Sequence, residues 1–213
     1  MKTLKTFIVA TLVGGGFLLT PALLAADGQE GGLIGKRYAG GDFSYEHFRS
    51  SRIDDALDGG AVVNDPITSN LDATFNYGLS HLTGPNYSRV QNQLSASLVT
   101  YAQDEYGKPF FSVMLGEAWD TTKNMGSQLS DNSTLWGLGA GLEVGFMGDS
   151  AITYSLNYTH GFRGSDFNST WKYGLQLNHW FSPRVSGIAS FAYNQISHAP
   201  DSMQYTVGVR FLF

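Results

Sequence analysis

Along most of its length this sequence alternates, residue by residue, between apolar and polar or very small side chains. In the last stretch Tyr205, Val207, Val209, Phe211 and Phe213 fall on one side of an extended strand. Gln204, Thr206, Gly208 and Arg210 fall on the other, with Leu212 the exception. Upstream, Trp136, Leu138, Ala140, Leu142, Val144 and Phe146 alternate with Gly137, Gly139, Gly141, Glu143 and Gly145. Ile152, Tyr154, Leu156, Tyr158, His160 and Phe162 oppose Thr153, Ser155, Asn157, Thr159 and Gly161. Trp171, Tyr173, Leu175 and Leu177 oppose Lys172, Gly174, Gln176 and Asn178. Leu71, Ala73, Phe75, Tyr77 and Leu79 oppose Asn70, Asp72, Thr74, Asn76 and Gly78. A side-chain period of two is the mark of a strand with two unlike faces. No helical period of comparable length competes beyond the first 26 residues.

A soluble sandwich also alternates, so the character of the two faces decides. Here aromatic rings stand at both ends of the apolar face, while Gly, Ser, Asn and Thr line the other. Lipid-facing strands have that distribution, because rings settle at the two membrane interfaces and the lumen stays polar. The segments run about 10 to 13 residues, long enough for a tilted strand to cross a bilayer and well beyond the soluble mode of about 5–6. Composition agrees. Charged residues are only 15%, yet the hydrophobic share is an ordinary 42% and the mean hydropathy is −0.13. A closed barrel satisfies its backbone within the sheet and needs no long apolar run to span lipid. The same numbers exclude a disordered chain, given 14% aromatics, and a helical membrane bundle. An acidic balance without a Lys/Arg cluster argues against nucleic acid as a partner. With no cysteine there is no disulfide and no thiolate site.

Residues 1–26 read as a cleaved signal peptide. Lys2 and Lys5 precede an apolar run from Phe7 to Leu19, and Pro21 and the small pair Ala25 and Ala26 follow. Cleavage after Ala26 would remove two of the 13 basic residues and leave 11 against 18 acidic ones. Residues 27–213 are then the barrel domain.

Strands are expected at 36–48, 57–64, 70–81, 89–101, 109–119, 134–147, 151–162, 170–181, 185–197 and 203–213. The short segment 57–64, closed by a turn at Asn64, Asp65 and Pro66, brings the number to ten. Single-chain barrels of this type have even strand numbers. An eight-stranded barrel, without the weak segments 57–64 and 109–119, is the alternative. Tight turns at one end would be periplasmic and the longer connections would be outer loops, residues 120–133 the longest of them.

These residues resemble small bacterial outer-membrane β-barrel proteins of the opacity-protein and OmpA-barrel kind. The terminal strand, residues 204–213, carries most of the resemblance, with the phrase His179, Trp180, Phe181, Ser182, Pro183, Arg184, Val185 adding to it. The resemblance implies an outer-membrane location and recognition by the barrel assembly machinery through Tyr205, Val207, Val209, Phe211 and the final Phe213.

On this register the inward face carries Asp42, Glu46, Asp72, Arg89, Glu143, Lys172 and Arg210. Buried charges must be paired or hydrated, and depth sorts these into two layers. Asp72, Glu143 and Arg210 lie towards the periplasm, and Glu46, Arg89 and Lys172 towards the outside. They either plug the lumen or line a narrow passage for water or small solutes. The inward glycines of 137–145 suit both, since they leave room either for solute or for long side chains from opposite strands. Trp119, Trp136 and Trp171 at one end, with Phe146 and Phe181 at the other, form two aromatic girdles against the outer-membrane lipid. Trp180, pointing inward, breaks the pattern. Rim residues His81, Ser80, His160, His198, Asp201 and Ser202 offer the types for hydrolytic chemistry. They lack the spacing of a nucleophile, a base and an orienting group, so no enzyme is expected. No His/Asp/Glu set has metal-ligand spacing, and no cofactor is expected. The sequence thus describes a monomeric all-β transmembrane barrel, structural or narrowly porous. A surface recognition barrel acting through residues 120–133 stands second, and a lipid-modifying enzyme third.

Overall fold

The computed structural model describes residues 31–50, 55–84, 87–104, 107–124, 127–146, 148–163 and 166–213. The expected signal peptide, residues 1–26, lies outside the described residues. Ten strands follow in order: β1 (Tyr38–Phe48), β2 (Ala56–Thr68), β3 (Leu71–Gly84), β4 (Tyr87–Tyr101), β5 (Lys108–Asn124), β6 (Ser127–Phe146), β7 (Ser150–Arg163), β8 (Asp166–Ser182), β9 (Val185–Ile196) and β10 (Ser202–Leu212). Each pairs antiparallel with its neighbour and β10 closes on β1. The sheet therefore has no edge, and its ladder groups find partners within it. Both segments on which an eight-stranded alternative depended are full strands, β2 and β5.

The stagger of this barrel can be followed through directly paired residues. Starting at Phe146, the path runs through Ser150, His179, Gly187, Val209, Gly41, Ala61, Tyr77, Leu94 and Glu117. It returns to β6 at Thr134, twelve positions from its start. Twelve residues of ~3.3 Å spread over ten strands ~4.8 Å apart tilt the strands by about 40° and set a backbone radius of about 10 Å. A ring of that size is filled when its inward side chains are long, and holds an aqueous channel only when they are short.

The tilt also gives the height of the outer surface. Trp136 and Phe146 stand ten residues apart on β6, and Trp171 and Phe181 ten apart on β8. Each pair spans about 25 Å along the axis, the height of a lipid-facing band between its girdles. Between those levels Leu94, Leu115, Leu138, Leu156, Leu175 and Val207 all face outward and exposed, Leu115 by 69%. An apolar belt of this extent has no place on a monomer in water.

Three expectations about connections are corrected. Residues 120–133 are not a loop. β5 runs on to Asn124 and β6 starts at Ser127, paired throughout, so this part of the chain is a hairpin rising roughly 20 Å beyond the level of Trp136. The connections expected at 82–88 and 163–169 likewise shrink to residues 85–86 and 164–165 between longer strands. Backbone pairing continues here without an apolar face to announce it. By contrast β10 starts only three residues above Tyr205, so the rim is high on β5 and β6 and low on β9 and β10. Finally, Asn64, Asp65 and Pro66 do not turn. β2 continues to Thr68 and the turn is Ser69 and Asn70. Pro66, lacking an N–H, sits where the register shifts between Pro66 and Thr68, a bulge that needs no ladder donor from it.

Candidate functional site

The lumen is where the sequence concentrates its polar chemistry, and it is full. Nearly all inward side chains are buried, polar ones included: Ser44, Thr74, Gln93, Ser112, Asn157, Gln176 and Thr206 are among them, and Ser155 and Ser190 are partly exposed. The inward glycines of β6 give up their space to neighbours. A Cβ on Gly141 would lie 2.3 Å from the Phe110 ring, and one on Gly139 would lie 2.3 Å from Asn157 Oδ1 and 2.4 Å from Ser112 Oγ.

All seven charges read as inward are in the interior, in four groups. Arg210 reaches across from β10 to Asp42 on β1, with Nη1 to Oδ1 at 2.7 Å and Nη2 to Oδ2 at 3.0 Å, a bidentate pair. Gly208 and Gly40 leave the room, since a Cβ on either would strike the Asp42 carboxylate or the Arg210 stem. Lower, Glu143 on β6 stands opposite Lys108 on β5, and Asp72 lies within electrostatic reach of both. Higher, Glu46 accepts hydrogen bonds from Ser202 and from Asn194 (2.9 Å), and Lys172 donates to Gln204 (2.8 Å). Gln204 in turn donates to Asp58 (3.4 Å). Arg89 donates through Nε and Nη2 to Asp120 Oδ1, at 3.0 and 2.6 Å.

Sequence reading missed three of these partners. Lys108 lies just outside the expected 109–119, Asp58 lay within the expected 57–64 but was not counted among the inward charges, and Asp120 lay in the presumed loop. Extending alternation outward from 109–119 would have placed Asp120 inward with Met114 and Ala118, which the structure shows buried together.

Both mouths are stopped. At the end with the raised hairpins, Phe48, Ala56, Leu82 and Ile196 form an apolar cluster, with the Arg89–Asp120 pair beyond it. At the end where β1 begins, residues 31–36 fold back into the lumen, and Leu33 and Ile34 are buried to 1% and 0% exposure. They pack with Tyr38, Val99, Phe110 and Ile188. Trp180, the aromatic that broke the girdle pattern, belongs to this stopper: its Nε1 donates to the Gly31 carbonyl (3.2 Å), and Lys36 Nζ lies 4.3 Å above its ring. The segment itself carries no periodic signal, because a plug has no period.

The outward residues are simpler. Tyr205, Val207, Val209, Phe211 and Phe213 are all exposed on the outer face of the closing strand. Trp119, Trp171 and Phe181 are exposed, Trp136 and Phe146 partly so. Trp136, Tyr158 and Trp171 form one cluster of rings, with centroids 5.5 and 4.9 Å apart. His160 accepts or donates a hydrogen bond at Ser169 (2.8 Å) on that same lipid-facing side. The rim residues do not converge. Ser202 points inward to Glu46, whereas Asp201 accepts from Tyr193, and His81 is exposed on β3. Beyond the strands, burial pulls the Asp55 carboxyl up, but hydrogen bonds from Tyr45 and His47 outweigh it and hold the group below its ordinary range. Among the described residues no group of three or more His, Asp or Glu could hold a metal ion, and no helix is long and apolar enough to cross a membrane.

No protein-family model matches the chain, and no curated protein matches it by sequence. Solved structures do match. The transport unit of the autotransporter AIDA-I from Escherichia coli is similar over 98% of this chain and 97% of its own, with a TM-score of 0.55 at 8% identity. The beta domain of the Bordetella autotransporter BrkA is similar over 84% and 99%, with a TM-score of 0.52 at 11% identity. The Neisserial surface protein A covers 83% of this chain with 97% of its own, at a TM-score of 0.49 and 14% identity. At such identities the likeness is one of fold alone, and the fold is the closed antiparallel barrel of bacterial outer-membrane proteins.

Proposed function

We propose that this protein is a monomeric outer-membrane barrel of the bacterial envelope, exported on residues 1–26 and working as a sealed structural component. The end that holds the start of β1 faces the periplasm, and the tall hairpins face outward. One observation carries the sealed reading. Nearly all of the lumen lining is buried, with a peptide segment at one mouth and an apolar cluster at the other. A hydrated passage for small solutes would leave inward polar groups exposed, as wide barrels do.

Planar bilayers test this. The purified protein is expected to insert, judged by heat-modifiable mobility in detergent gels, and to give no conductance steps at neutral pH. A steady ohmic current from the unaltered protein would replace the sealed reading with that of a narrow passive pore. The terminal strand bears on assembly. Its outward Tyr205, Val207, Val209, Phe211 and Phe213 are placed for recognition by the assembly machinery. Deleting Phe213 is expected to lower the amount of folded barrel in cell membranes several-fold while sparing refolding in detergent. Equal loss in both settings would make the residue merely structural.

A second reading, surface recognition, rests on the overhanging β5–β6 hairpin, whose Leu129 is 65% exposed well above the lipid-facing band. Binding to a host or neighbouring cell surface that is lost on replacing Leu129 and Lys123, with folding unchanged, would favour it.

A further inference from the structure

The stopper at the periplasmic mouth is bound as a ligand is bound. Its backbone is read by side chains from four strands, three of them more than 70 positions away in sequence. The Gly31 carbonyl accepts from Asn178 Nδ2 (2.7 Å) as well as from Trp180. The Leu33 N–H donates to Glu143 Oε2 (2.9 Å). The Ile34 carbonyl accepts from Lys108 Nζ (3.1 Å), and the Lys36 carbonyl from Asn64 Nδ2 (3.1 Å). Side-chain preference is written into the same mouth. A Cβ on Gly31 would fall 1.9 Å from the Ser150 carbonyl oxygen, which is backbone and cannot step aside. The two aliphatic side chains fill an apolar shell, and the lysine caps Trp180.

Charge adds to this. Among the described residues, six carboxylates (Asp42, Glu46, Asp58, Asp72, Asp120, Glu143) share the barrel interior with four cations (Arg89, Lys108, Lys172, Arg210). Lys36 arrives with the segment and acts on Glu143 from the mouth. Main-chain recognition, a glycine-only position, an apolar shell and a lysine held over Trp180 together describe a peptide site.

The geometry points to a peptide-binding site at the periplasmic mouth, occupied in cis by residues 31–36. The site takes a short peptide that opens on glycine, carries two aliphatic residues and ends on a basic one. Tethering keeps the chain's own segment in place, because the effective concentration of a short covalent link is high. A free peptide of the same chemistry takes the site once the segment is displaced. This inference does not depend on whether the barrel conducts.

The chain has no cysteine, so a single Leu33→Cys substitution reports on the segment without interference. The full-length protein, folded in detergent, is labelled with a maleimide, alone and together with Gly31→Val. Asn178→Ala, which removes a donor and adds no bulk, is the second displacing variant. Labelling is expected to be roughly tenfold faster with either displacing substitution. A fluorescent peptide with the sequence of residues 31–37 is expected to bind saturably to the Gly31→Val protein. It should bind roughly tenfold more weakly to the unaltered protein, and a scrambled peptide should bind to neither. Fast labelling in the parent, equal labelling in all three proteins, or no saturable binding to the displaced barrel would each overturn the proposal. Loss of the heat-modifiable band in a variant would disqualify that variant, and the other would decide.

Discussion

Arg210→Ala is expected to cost the folded barrel about 3–5 kcal/mol, as breaking a buried ion pair from one side does. The guanidinium and the Asp42 carboxylate are 4% and 9% exposed. The pair makes two parallel hydrogen bonds, and Arg210 Nη1 also reaches the Val209 carbonyl. Removing the arginine leaves a carboxylate deep in the interior without its cation, and that stranded charge, more than the lost attraction, is the penalty. The double variant Arg210→Met with Asp42→Asn should therefore be less damaged than Arg210→Ala alone. Urea unfolding of the refolded proteins measures both, with Arg37→Ala as a control. Arg37 pairs with Asp65 at 2.6 Å too, but both are about half exposed, and such surface pairs contribute at most about 1 kcal/mol. Equal losses for Arg210→Ala and Arg37→Ala would mean that the interior is wet and the lumen open.

Gly141→Val should prevent folding outright. The new Cβ would lie 2.2 Å from the Tyr154 carbonyl oxygen on β7 and 2.3 Å from the Phe110 ring on β5. Overpacking costs about 1–3 kcal/mol where side chains can yield. Here one of the two obstacles is a backbone atom of the neighbouring strand, so the loss should exceed that range. Gly139→Val provides the contrast, since its nearest neighbours are the ends of Asn157 and Ser112, which can rotate. Heat-modifiable mobility after refolding would show no folded Gly141→Val and a reduced but clear fraction of Gly139→Val. Phe110→Ala should rescue Gly141→Val only in part, because the carbonyl remains. Full rescue would show that the ring alone had been the obstacle.

What could be read in advance followed the two-faced strands and stopped where they stopped. Between the girdles, alternation placed Asp42, Glu46, Asp72, Arg89, Glu143, Lys172 and Arg210 on one face, and the structure has them there because inside and outside differ so sharply in polarity. Towards the tip of the β5–β6 hairpin both faces of the strands meet water, so the pattern fades while the backbone ladder goes on. That is why residues 120–133 read as a loop and Asp120 was not recognised as the partner of Arg89. Pro66 misled for the opposite reason: a turn-forming residue was accommodated in a bulge, a choice made by pairing with β3. The stopper left no trace in periodicity, since residues 31–36 are neither strand nor helix. Trp180 was its one visible sign, an aromatic on the wrong face of an otherwise regular strand.

The stopper also orders events in time. Its hydrogen bonds join residues 74, 110, 147 and 149 positions apart, and contacts of such separation form late because the chain between must first be arranged. β5, β6 and β8 have to stand in their final places before Gly31, Leu33 and Ile34 have anything to bind. The first described part of the chain to be synthesised thus finds its partners only once three later strands are in place, and until then the mouth where β1 begins stands open.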